Sequence, residues 1–461
     1  MFKKVNHIHF IGIGGIGMSG IAELLMNLEF NITGSDIDHS QNVQRLEKIG
    51  IKISIGHDEK NINGADAIVY SSAIPYDNPE ILSAKNKSIP VIRRAEMLAE
   101  LISLKKTSIA VGGTHGKTST SSMIGMLLES SGYDPTLVVG GLVSNLNTNV
   151  KLGSGDMVVV EADEFDRSFL ALKPTIAIIT NLEMEHTDCY KDLNDLKKSF
   201  LQFCQSVPFY GEVILCADSK PLISIIDKIK KPVVTYGFSE NADFCAKNIK
   251  YNKSDSEYTL FHKQKNLGKI EIKVPGRHNV LNSLAAIALG IEINIPIGKL
   301  KNGINNYKGV RRRFEIKNNN HKVIVVDDYA HHPTEVLATI QAAKNGWNKK
   351  IVSVFQPHLF SRTRDFFKEF AESLFISDRI IITDIYPARE KPLKGVNAKL
   401  IIDHLKQLGH KKIHYLDDLE KLNELLDTIV NQDDMVITMG AGNIWRYNEK
   451  YNEHLNNKNY N

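Results

Sequence analysis

Short apolar runs alternate with amphipathic stretches along the whole chain, and this alternation is typical of parallel α/β layers. The first group of elements consists of the strand HIHFIGI, the helix MSGIAELLMNLE, the strand FNITGSD and a later strand, ADAIVYSSA. Apolar strands separated by helices of this length predict a doubly wound sheet at the start of the chain.

Two more groups repeat the pattern. A second sheet is predicted from TSIAVGG, DMVVVEADEFD and TIAIITNLEMEH, and it includes the antiparallel stretch EYTLFHKQKNLGKIEIKV. A third, doubly wound sheet is predicted from HKVIVVDDYA, KKIVSVFQPH, RIIITDIY, KKIHYL and DMVITMGAG. A chain of 461 residues is too long for one ordinary core. We therefore predict three domains, at residues 1–104, 105–309 and 310–461.

Composition excludes several classes of protein. The formal net charge of +4 is too small for a polybasic nucleic-acid binder. No run approaches the roughly 18 apolar residues of a membrane helix. The four cysteines, none in a CxxC pair, indicate free thiols in a reducing compartment. We expect a cytoplasmic protein with neither a nucleic-acid nor a membrane partner.

The stretch GIGGIGMSG has the glycine spacing of a nucleotide-binding turn. Gly12, Gly14 and Gly17 match G-x-G-x-x-G between a predicted strand and helix, and Asp36 ends the next strand. Glycines let the backbone approach a pyrophosphate at a helix N-terminus, and the acid accepts a hydrogen bond from a ribose hydroxyl. The motif does not distinguish a dinucleotide from a UDP-sugar, and such turns also occur without a ligand.

A second glycine-rich stretch, AVGGTHGKTSTSS, follows a later predicted strand. The standard phosphate-binding loop has a glycine at the position of Val111, so the strict pattern is not met. Successive N–H groups can still surround a phosphate, with Lys117 on its terminal oxygens and Thr118 on Mg²⁺. The predicted phosphate site consists of Gly112, Gly113, Thr114, His115, Gly116, Lys117 and Thr118.

Acidic residues end the two predicted strands that follow this loop. A single acid at a strand end is commonly a helix cap or a surface charge. Two clusters at consecutive strand ends favour one or two Mg²⁺ ions that hold the γ-phosphate and an attacking oxygen. The clusters are Glu161, Asp163 and Glu164, and Glu183, Glu185, His186 and Asp188.

The segment VVDDYAHHPTE in the third group combines two acids with two histidines. Adjacent histidines point in different directions on any regular element, so hydrogen bonding to a nucleotide and substrate is favoured over a structural zinc. Two arginine clusters, residues 311–313 and the pair Arg362 and Arg364, are either solvated or bind anions such as diphosphate and carboxylate.

Together these motifs resemble the ATP-dependent Mur ligases of peptidoglycan synthesis. The resemblance covers nearly the whole chain, through GIGGIGMSG, GGTHGKTST, EADEFD, NLEMEHTD, GRHNVLN, RRRFE, DDYAHHPTE, QPHLFSRTRDFF and MGAGNI. It implies an N-terminal Rossmann-like domain for a UDP sugar, a central P-loop ATPase and a C-terminal Rossmann-like domain on the amino-acid side. GGTHGKTST is the shortened P-loop of the family, which accounts for the missing glycine.

Within the family, GIGGIGMSG and DDYAHHPTE resemble the enzyme that joins L-alanine to the carboxylate of UDP-N-acetylmuramate. The resemblance implies ATP and Mg²⁺, an acyl phosphate, release of ADP and phosphate, and a role in cell-wall precursor synthesis and cell division by a monomer or dimer. A recycling ligase that attaches a murein peptide to the same sugar is the nearest alternative. A dehydrogenase explains GIGGIG but not the P-loop, and a P-loop switch requires no UDP-sugar site.

The resemblance also implies roles for individual residues. The expected Mg²⁺ ligands are Thr118, Glu161 and His186, and the catalytic residues are Lys117, His186, His331 and Arg362. Beyond the P-loop, ATP is expected at Arg313, Asp328 and Tyr329, with its adenine at His278, Asn279 and Asn282, and His358 is expected on the substrate side. The UDP sugar is expected at Gly12, Gly14, Gly15, Gly17, Ser19, Asp36, Ser71 and Arg93.

Two positions depart from the family. Leu359 stands where the family often has arginine, which affects one contact on the amino-acid side. Phe200 lies near the position at which some sister ligases carry a carbamylated lysine, so we assign none. The choice among alanine, serine and glycine stays open at this stage.

Overall fold

The computed structural model describes residues 5–71, 73–185, 189–318, 323–388 and 390–458. Its first sheet has five parallel strands in the order β3-β2-β1-β4-β5. These are β1 (His7–Ile11), β2 (Asn31–Asp36), β3 (Lys52–Ile55), β4 (Ala67–Tyr70) and β5 (Val91–Arg93). The helices are α1 (Ile16–Asn27), α2 (Gln41–Lys48), α3 (Pro79–Asn86) and α4 (Arg94–Ser103). The strand order reverses between β1 and β4, which is where ligands bind in such sheets.

The second sheet has ten strands in the order β15-β14-β13-β12-β11-β10-β6-β9-β7-β8. They are β6 (Thr107–Gly112), β7 (Thr136–Val143), β8 (Thr148–Lys151), β9 (Met157–Glu161), β10 (Ile176–Ile179), β11 (Glu212–Cys216), β12 (Val233–Gly237), β13 (Phe244–Asn252), β14 (Asp255–His262) and β15 (Lys265–Ile272). The helices are α5 (Lys117–Ser130), α6 (Leu193–Ser206), α7 (Lys220–Ile223), α8 (Arg277–Glu292) and α9 (Ile297–Asn305). The strands β6, β9 and β10 are parallel, so their carboxyl ends meet at one edge.

The third sheet has the order β16-β17-β21-β18-β19-β20, and only its edge strand β16 is antiparallel among the described strands. The strands are β16 (Glu315–Asn318), β17 (Ile324–Asp328), β18 (Ile351–Phe355), β19 (Arg379–Thr383), β20 (Ile413–Leu416) and β21 (Met435–Met439). The helices are α10 (Pro333–Gly346), α11 (Phe360–Leu374), α12 (Lys399–Gln407), α13 (Leu422–Ile429) and α14 (Ile444–Lys458). This sheet and the other two confirm the predicted α/β fold class.

The third sheet is buried on both faces. Val326 of β17 packs into one apolar cluster with Phe355 and Phe370, whereas Val325 packs into another with Val352. Successive side chains of a strand point to opposite faces, so a strand covered on both sides is apolar at every position. This explains why IVV, IVSVF and MVIT read as continuous apolar runs.

The chain divides into two compact units. Unit 1 comprises Met1–Lys247, Thr259–Ile270 and Leu281–Tyr307, and unit 2 comprises Asn248–Tyr258, Glu271–Val280 and Lys308–Asn461. The three domain ranges 1–104, 105–309 and 310–461 stay a prediction. Among the described residues, no helix is both long and apolar enough to cross a membrane.

Candidate active site

The first glycine-rich loop, residues 12–17, joins β1 to α1 in unit 1. The N–H groups of Gly12 and Ile13 donate to the carbonyl of Ser35 at 2.8 and 3.1 Å. The N–H of Gly14 donates to Oδ2 of Asp36 at 2.8 Å. Asp36, which we predicted as an acceptor for a ribose hydroxyl, therefore also fixes the loop.

The helix that follows this loop places the other predicted UDP-sugar residues. Gly15 precedes α1, and no side chain within the described part of the chain caps this helix end. Ser19 is fully buried and its hydroxyl donates to the carbonyl of Ile16 at 3.0 Å, so its side chain stays within the helix. Ser71 follows β4 and its N–H donates to the carbonyl of Ile11 at 3.4 Å, beside the loop.

A cavity of about 490 Å³ lies beside the first loop. Arg93 lines it and donates to the hydroxyls of Tyr70 at 3.2 Å and Tyr76 at 2.8 Å. Two further lining residues, Ile74 and Arg94, lie beside Gly12 and Gly17, where a Cβ on either glycine would point. The rest of the wall consists of Ala95, Glu96, Phe165, Asp166, Arg167, Ser168 and Ala171. Aromatic rings and guanidinium groups suit a ligand that carries both a ring and anionic groups.

The second glycine-rich loop, residues 112–117, joins β6 to α5, also in unit 1. Gly113 has φ +128°, and a Cβ there would lie 2.1 Å from Oγ1 of Thr180, so the position requires glycine. α5 begins at Lys117 without a capping side chain from the described residues. The first N–H groups of such a helix and its dipole favour an anion, so the loop fits a phosphate.

The segment after β10 holds this loop in place. The N–H groups of Thr114 and His115 donate to the carbonyl and side-chain oxygens of Asn181, at 3.0 and 2.9 Å. The hydroxyl of Thr180 donates to the carbonyl of His115 at 2.6 Å. The carbonyl of Glu183 accepts a hydrogen bond from the Thr114 hydroxyl, and a carboxylate oxygen of Glu183 lies 3.4 Å from Nε2 of His115. Sequence reasoning placed Glu183 among the metal acids and missed Thr180 and Asn181 as supports.

Lys117 is held by a buried ion pair. Its ammonium donates to both carboxylate oxygens of Glu164, at 2.7 and 3.0 Å, and to the carbonyls of Gly113 and Thr114 at 2.7 and 3.1 Å. Burial lowers the pKa of Lys117, but the charges of Glu164 and Asp163 outweigh it and keep this pKa above its ordinary value. Burial raises the pKa of Glu164 to about 7, although Lys117 lowers it in part.

Two of the three predicted Mg²⁺ ligands lie together beside the second loop. The hydroxyl of Thr118 donates to Oε2 of Glu161 at 3.1 Å, and the other carboxylate oxygen accepts from the N–H of Gly140 at 2.5 Å. Hydroxyl and carboxylate oxygens are the hard ligands that Mg²⁺ prefers, so this pair fits the ion. The third ligand, His186, lies outside the described residues, as does Asp188.

The three residues predicted at the adenine have different surroundings. Within unit 1, Oδ1 of Asn282 accepts from the hydroxyl of Thr120 at 3.1 Å and lies next to Gly116. Within unit 2, the amide of Asn279 donates to the carbonyl of Pro275 at 2.8 Å. His278 is half-buried there, and its partial removal from water, followed by the charge of Arg313, lowers its pKa to about 4. His278 is therefore a neutral imidazole at physiological pH.

In unit 2, Asp328 is the last residue of β17 and Tyr329 follows it. The Asp328 carboxylate accepts from the N–H groups of Phe314 and Ala330 at 2.9 and 2.8 Å and from the hydroxyl of Thr339 at 3.1 Å. Burial raises its pKa to about 6. These bonds fix the loop after β17, a role that the sequence did not indicate for Asp328.

The predicted arginine and aromatic contacts for ATP lie next to one another in unit 2. The guanidinium of Arg313 lies 5.2 Å from the ring centroid of Tyr329 and 3.7 Å from a carboxylate oxygen of Glu335. The guanidinium of Arg312 lies 4.9 Å from the same ring. Cations over the face of a tyrosine are attracted by the ring and hold its orientation.

The predicted substrate-side residues of unit 2 form one cluster. Nδ1 of His331 lies 3.2 Å from Oε2 of Glu335, and its ring lies 6.0 Å from that of His358. Nη1 of Arg362 is 3.2 Å from Nδ1 of His358, and the Arg362 side chain is buried. By contrast, Arg364 pairs with its neighbour Asp365 at 2.7 Å on the surface.

Both departures from the family have defined surroundings. Leu359 has φ +70° directly before α11, a conformation that non-glycine residues adopt at a cost. Phe200 is fully buried, with its ring 4.9 Å from that of Phe169, and belongs to the hydrophobic core of unit 1.

Comparison with known proteins places these sites in a family. The family model described as “Mur ligase family, catalytic domain” matches residues 7–106. The model described as “Mur ligase middle domain” matches residues 111–290, and the one described as “Mur ligase, glutamate ligase domain” matches residues 312–442. The chain belongs to the Mur ligase family. This Mur ligase is 47% identical over 455 residues to the UDP-N-acetylmuramate–L-alanine ligase of Geotalea uraniireducens, with 99% of each chain covered.

Two solved structures of Mur ligases share its fold. The UDP-N-acetylmuramate–alanine ligase of Thermotoga maritima has a TM-score of 0.84 at 29% identity and covers 98% of this chain and 99% of its own. A murein peptide ligase from Psychrobacter arcticus has a TM-score of 0.72 at 22% identity, with 96% and 98% covered. The fold of this Mur ligase is thus shared by two kinds of ligase.

Proposed function

We propose that this chain is an ATP-dependent ligase that joins L-alanine to the carboxylate of UDP-N-acetylmuramate. The observation that carries the proposal is the presence in unit 1 of two different glycine-rich loops. One lies beside a cavity of about 490 Å³, and the other is followed by Lys117, Thr118 and nearby Glu161. The 47% identity to a UDP-N-acetylmuramate–L-alanine ligase over 99% of both chains supports the same reaction.

The first loop and its cavity would bind the UDP sugar. The N-terminus of α1 would face the diphosphate, and Arg93, Tyr70 and Tyr76 would supply donors and ring surfaces beside it. This part of the substrate does not react. Its binding free energy would instead hold the muramyl carboxylate in position for attack.

The second loop would bind ATP. The muramyl carboxylate attacks the γ-phosphorus, an acyl phosphate forms and ADP leaves. Lys117 would neutralise charge on the phosphate oxygens, and Thr118, Glu161 and His186 would hold Mg²⁺. When bound, Mg²⁺ stabilises negative charge on the oxygens of the transferred phosphoryl group.

Unit 2 would supply the amino-acid side. The neutral α-amine of L-alanine attacks the acyl carbonyl, phosphate leaves and the amine loses a proton. A carboxylate in a buried site requires a cation, and the buried Arg362 beside His358 fits that role. We assign Asp328, Tyr329, Arg313 and His278 to the ATP side as part of the same proposal. The cytoplasmic location of the reaction stays a prediction of the sequence.

ADP release in the presence of ATP and Mg²⁺ tests the proposal. We expect turnover that requires both UDP-N-acetylmuramate and L-alanine, with serine and glycine as weaker acceptors. Equal ADP release without the sugar would contradict the ligase assignment. Turnover with a murein peptide in place of alanine would favour the recycling reaction, and a mass spectrum of the product distinguishes the two.

A further inference from the structure

The first sheet of unit 1 contains a buried carboxylate that the proposed chemistry does not use. Glu80, in the first turn of α3, is 0% exposed. Its Oε2 lies 3.7 Å from Nε2 of His9, on β1, and 3.5 Å from Nδ1 of His57, after β3. A charge is retained in a protein interior when hydrogen bonds or opposite charges compensate for the lost water. Glu80 is surrounded by groups that can do so.

Glu80 accepts hydrogen bonds from two other segments of the sheet. Its Oε2 accepts from the hydroxyl of Ser35 at 2.6 Å, and its Oε1 accepts from the amide of Asn61 at 2.6 Å. Burial raises the pKa of Glu80, but the interactions with His9, Ser35 and Asn61 outweigh it and hold this pKa below its ordinary value. The side chain is therefore an ionised acceptor at neutral pH.

Ser35 connects Glu80 to the first glycine-rich loop. Its side chain is held by Glu80, while its carbonyl accepts from the N–H groups of Gly12 and Ile13 at 2.8 and 3.1 Å. A rotation of the Ser35 peptide would move the single carbonyl oxygen that accepts from both N–H groups. The direction of the N–H groups of Gly12 and Ile13 thus depends on Ser35, whose hydroxyl is hydrogen-bonded to Glu80.

Asn61 provides a second connection to the same loop. Its amide donates to Glu80 and also to the carbonyl of Gly56 at 3.2 Å. The N–H of Gly56 donates to the carbonyl of Asp36 at 2.8 Å, and the Asp36 carboxylate accepts from Gly14. Both the start and the middle of the loop are therefore linked to one buried carboxylate.

We infer that Glu80 is a positioning residue for the first glycine-rich loop, and that it sets the affinity for the diphosphate ligand without touching it. This rests on the proposed function, in which that loop binds the UDP sugar. Glu80 acts through Ser35 and Asn61, and among the described residues its hydrogen bonds and ion pairs all lie within the segments of the first sheet, away from the ATP-binding loop. Its loss should weaken UDP-sugar binding and leave ATP binding unchanged.

Calorimetric binding of UDP to the full chain tests the inference. We expect Glu80→Gln, which keeps the shape of the side chain, and Ser35→Ala to weaken UDP binding by about tenfold each, the effect of losing one buried hydrogen bond. Because the Ser35 hydroxyl acts only through Glu80 in this scheme, the double variant should bind UDP no more weakly than Glu80→Gln alone. In turnover assays these variants should raise KM for the sugar, with kcat and KM for ATP unchanged.

Asp66→Asn is the matched control. The exposed Asp66 carboxylate accepts from the N–H groups of Asn6 and His7 at 2.8 and 2.9 Å, at the opposite end of β1. We expect Asp66→Asn to lower the melting temperature without changing UDP affinity. Ser35→Ala carries the test if Glu80→Gln does not fold. Wild-type UDP affinity in a folded Glu80→Gln or Ser35→Ala variant would overturn the inference, whereas failure of the unaltered protein to bind UDP would overturn the proposed function.

Discussion

The two glycine-rich loops of unit 1 each join a parallel strand to a helix, yet they differ in the side chains around them. The first is fixed by Ser35 and Asp36, and its helix begins with the apolar residue Ile16. The second is fixed by Asn181, and its helix begins with Lys117, whose ammonium is paired with Glu164. In the proposed function both loops bind a phosphate, and the side chains around each loop determine which phosphate reacts.

The largest expected effect comes from removing the charge of Lys117, which the second loop has and the first loop lacks. Lys117→Ala should lower kcat by two orders of magnitude or more, about 3 kcal/mol of transition-state stabilisation, because it removes one preorganised donor to a developing charge. UDP affinity should not change. Lys106→Ala is the control, since Lys106 is 79% exposed and pairs with Asp156 at 2.7 Å. Wild-type turnover in Lys117→Ala would mean that the second loop is not the reactive one.

The pH dependence of stability tests His278, which we predicted to lie at the adenine of the ATP bound by the second loop. The pKa of His278 is about 4 in the folded protein, against 6.5 in an unfolded chain. Between these values only the unfolded state binds the proton, so the stability is complete above pH 6.5. It falls as the pH drops towards 4, by up to about 3 kcal/mol.

Denaturant unfolding between pH 4 and 7 measures this loss. We expect His278→Gln to show a flatter pH dependence than the unaltered protein, because glutamine does not titrate. His39→Gln is the control, since the His39 side chain is 53% exposed. If the free energy of unfolding varied equally with pH in His278→Gln and in the unaltered protein, His278 would not be held as a neutral ring in the folded state.

Neither loop is expected to bind the amino acid, and Arg362 tests this. Arg362→Ala should raise KM for alanine by more than tenfold, since a charge-assisted hydrogen bond contributes about 2 kcal/mol. Arg362→Lys should raise it less, because the charge stays but the planar two-pronged geometry is lost. KM for ATP and for the sugar should not change. Arg364→Ala, on the same helix, is the control and should leave KM for alanine unchanged. An unchanged KM for alanine in Arg362→Ala would mean that unit 2 does not bind the amino acid.

The smallest effect concerns the first loop. A Cβ on Gly14 would lie 2.9 Å from Oδ2 of Asp36, so Gly14→Ala should disturb that contact and raise KM for the UDP sugar by about tenfold. The rate at saturating sugar should be unaltered. Gly298→Ala on α9 is the control, because a Cβ there would meet no described atom within 4 Å. A change in KM for ATP instead of the sugar would break the distinction between the loops.

The sequence predicted the positions of both loops because each combines a glycine pattern with an adjacent strand and helix. β1 and β2 lie within the predicted strands HIHFIGI and FNITGSD, and β6 lies within the predicted strand TSIAVGG. The prediction missed β7 and β8, because TLVVGGLV contains two glycines and TNVK has few apolar positions. Such strands form because neighbouring strands supply their hydrogen bonds.

The supports of the loops could not be predicted in the same way. Glu80 is 45 residues from Ser35, and Asn181 is 66 residues from His115. No local pattern marks a residue whose partners are that distant in sequence. Glu183 and Asp328 were recognised as chemically interesting acids, but the hydrogen bonds that engage them depend on the fold.

Phe200 has a consequence for how the protein responds to its surroundings. A lysine becomes carbamylated by reversible reaction of its neutral amine with dissolved carbon dioxide, so a ligase that relies on one depends on bicarbonate supply. Near this position the chain has the phenyl ring of Phe200, fully buried with Phe169 beside it. A phenyl ring has no amine to react, so we expect the turnover of this ligase to be independent of carbon dioxide.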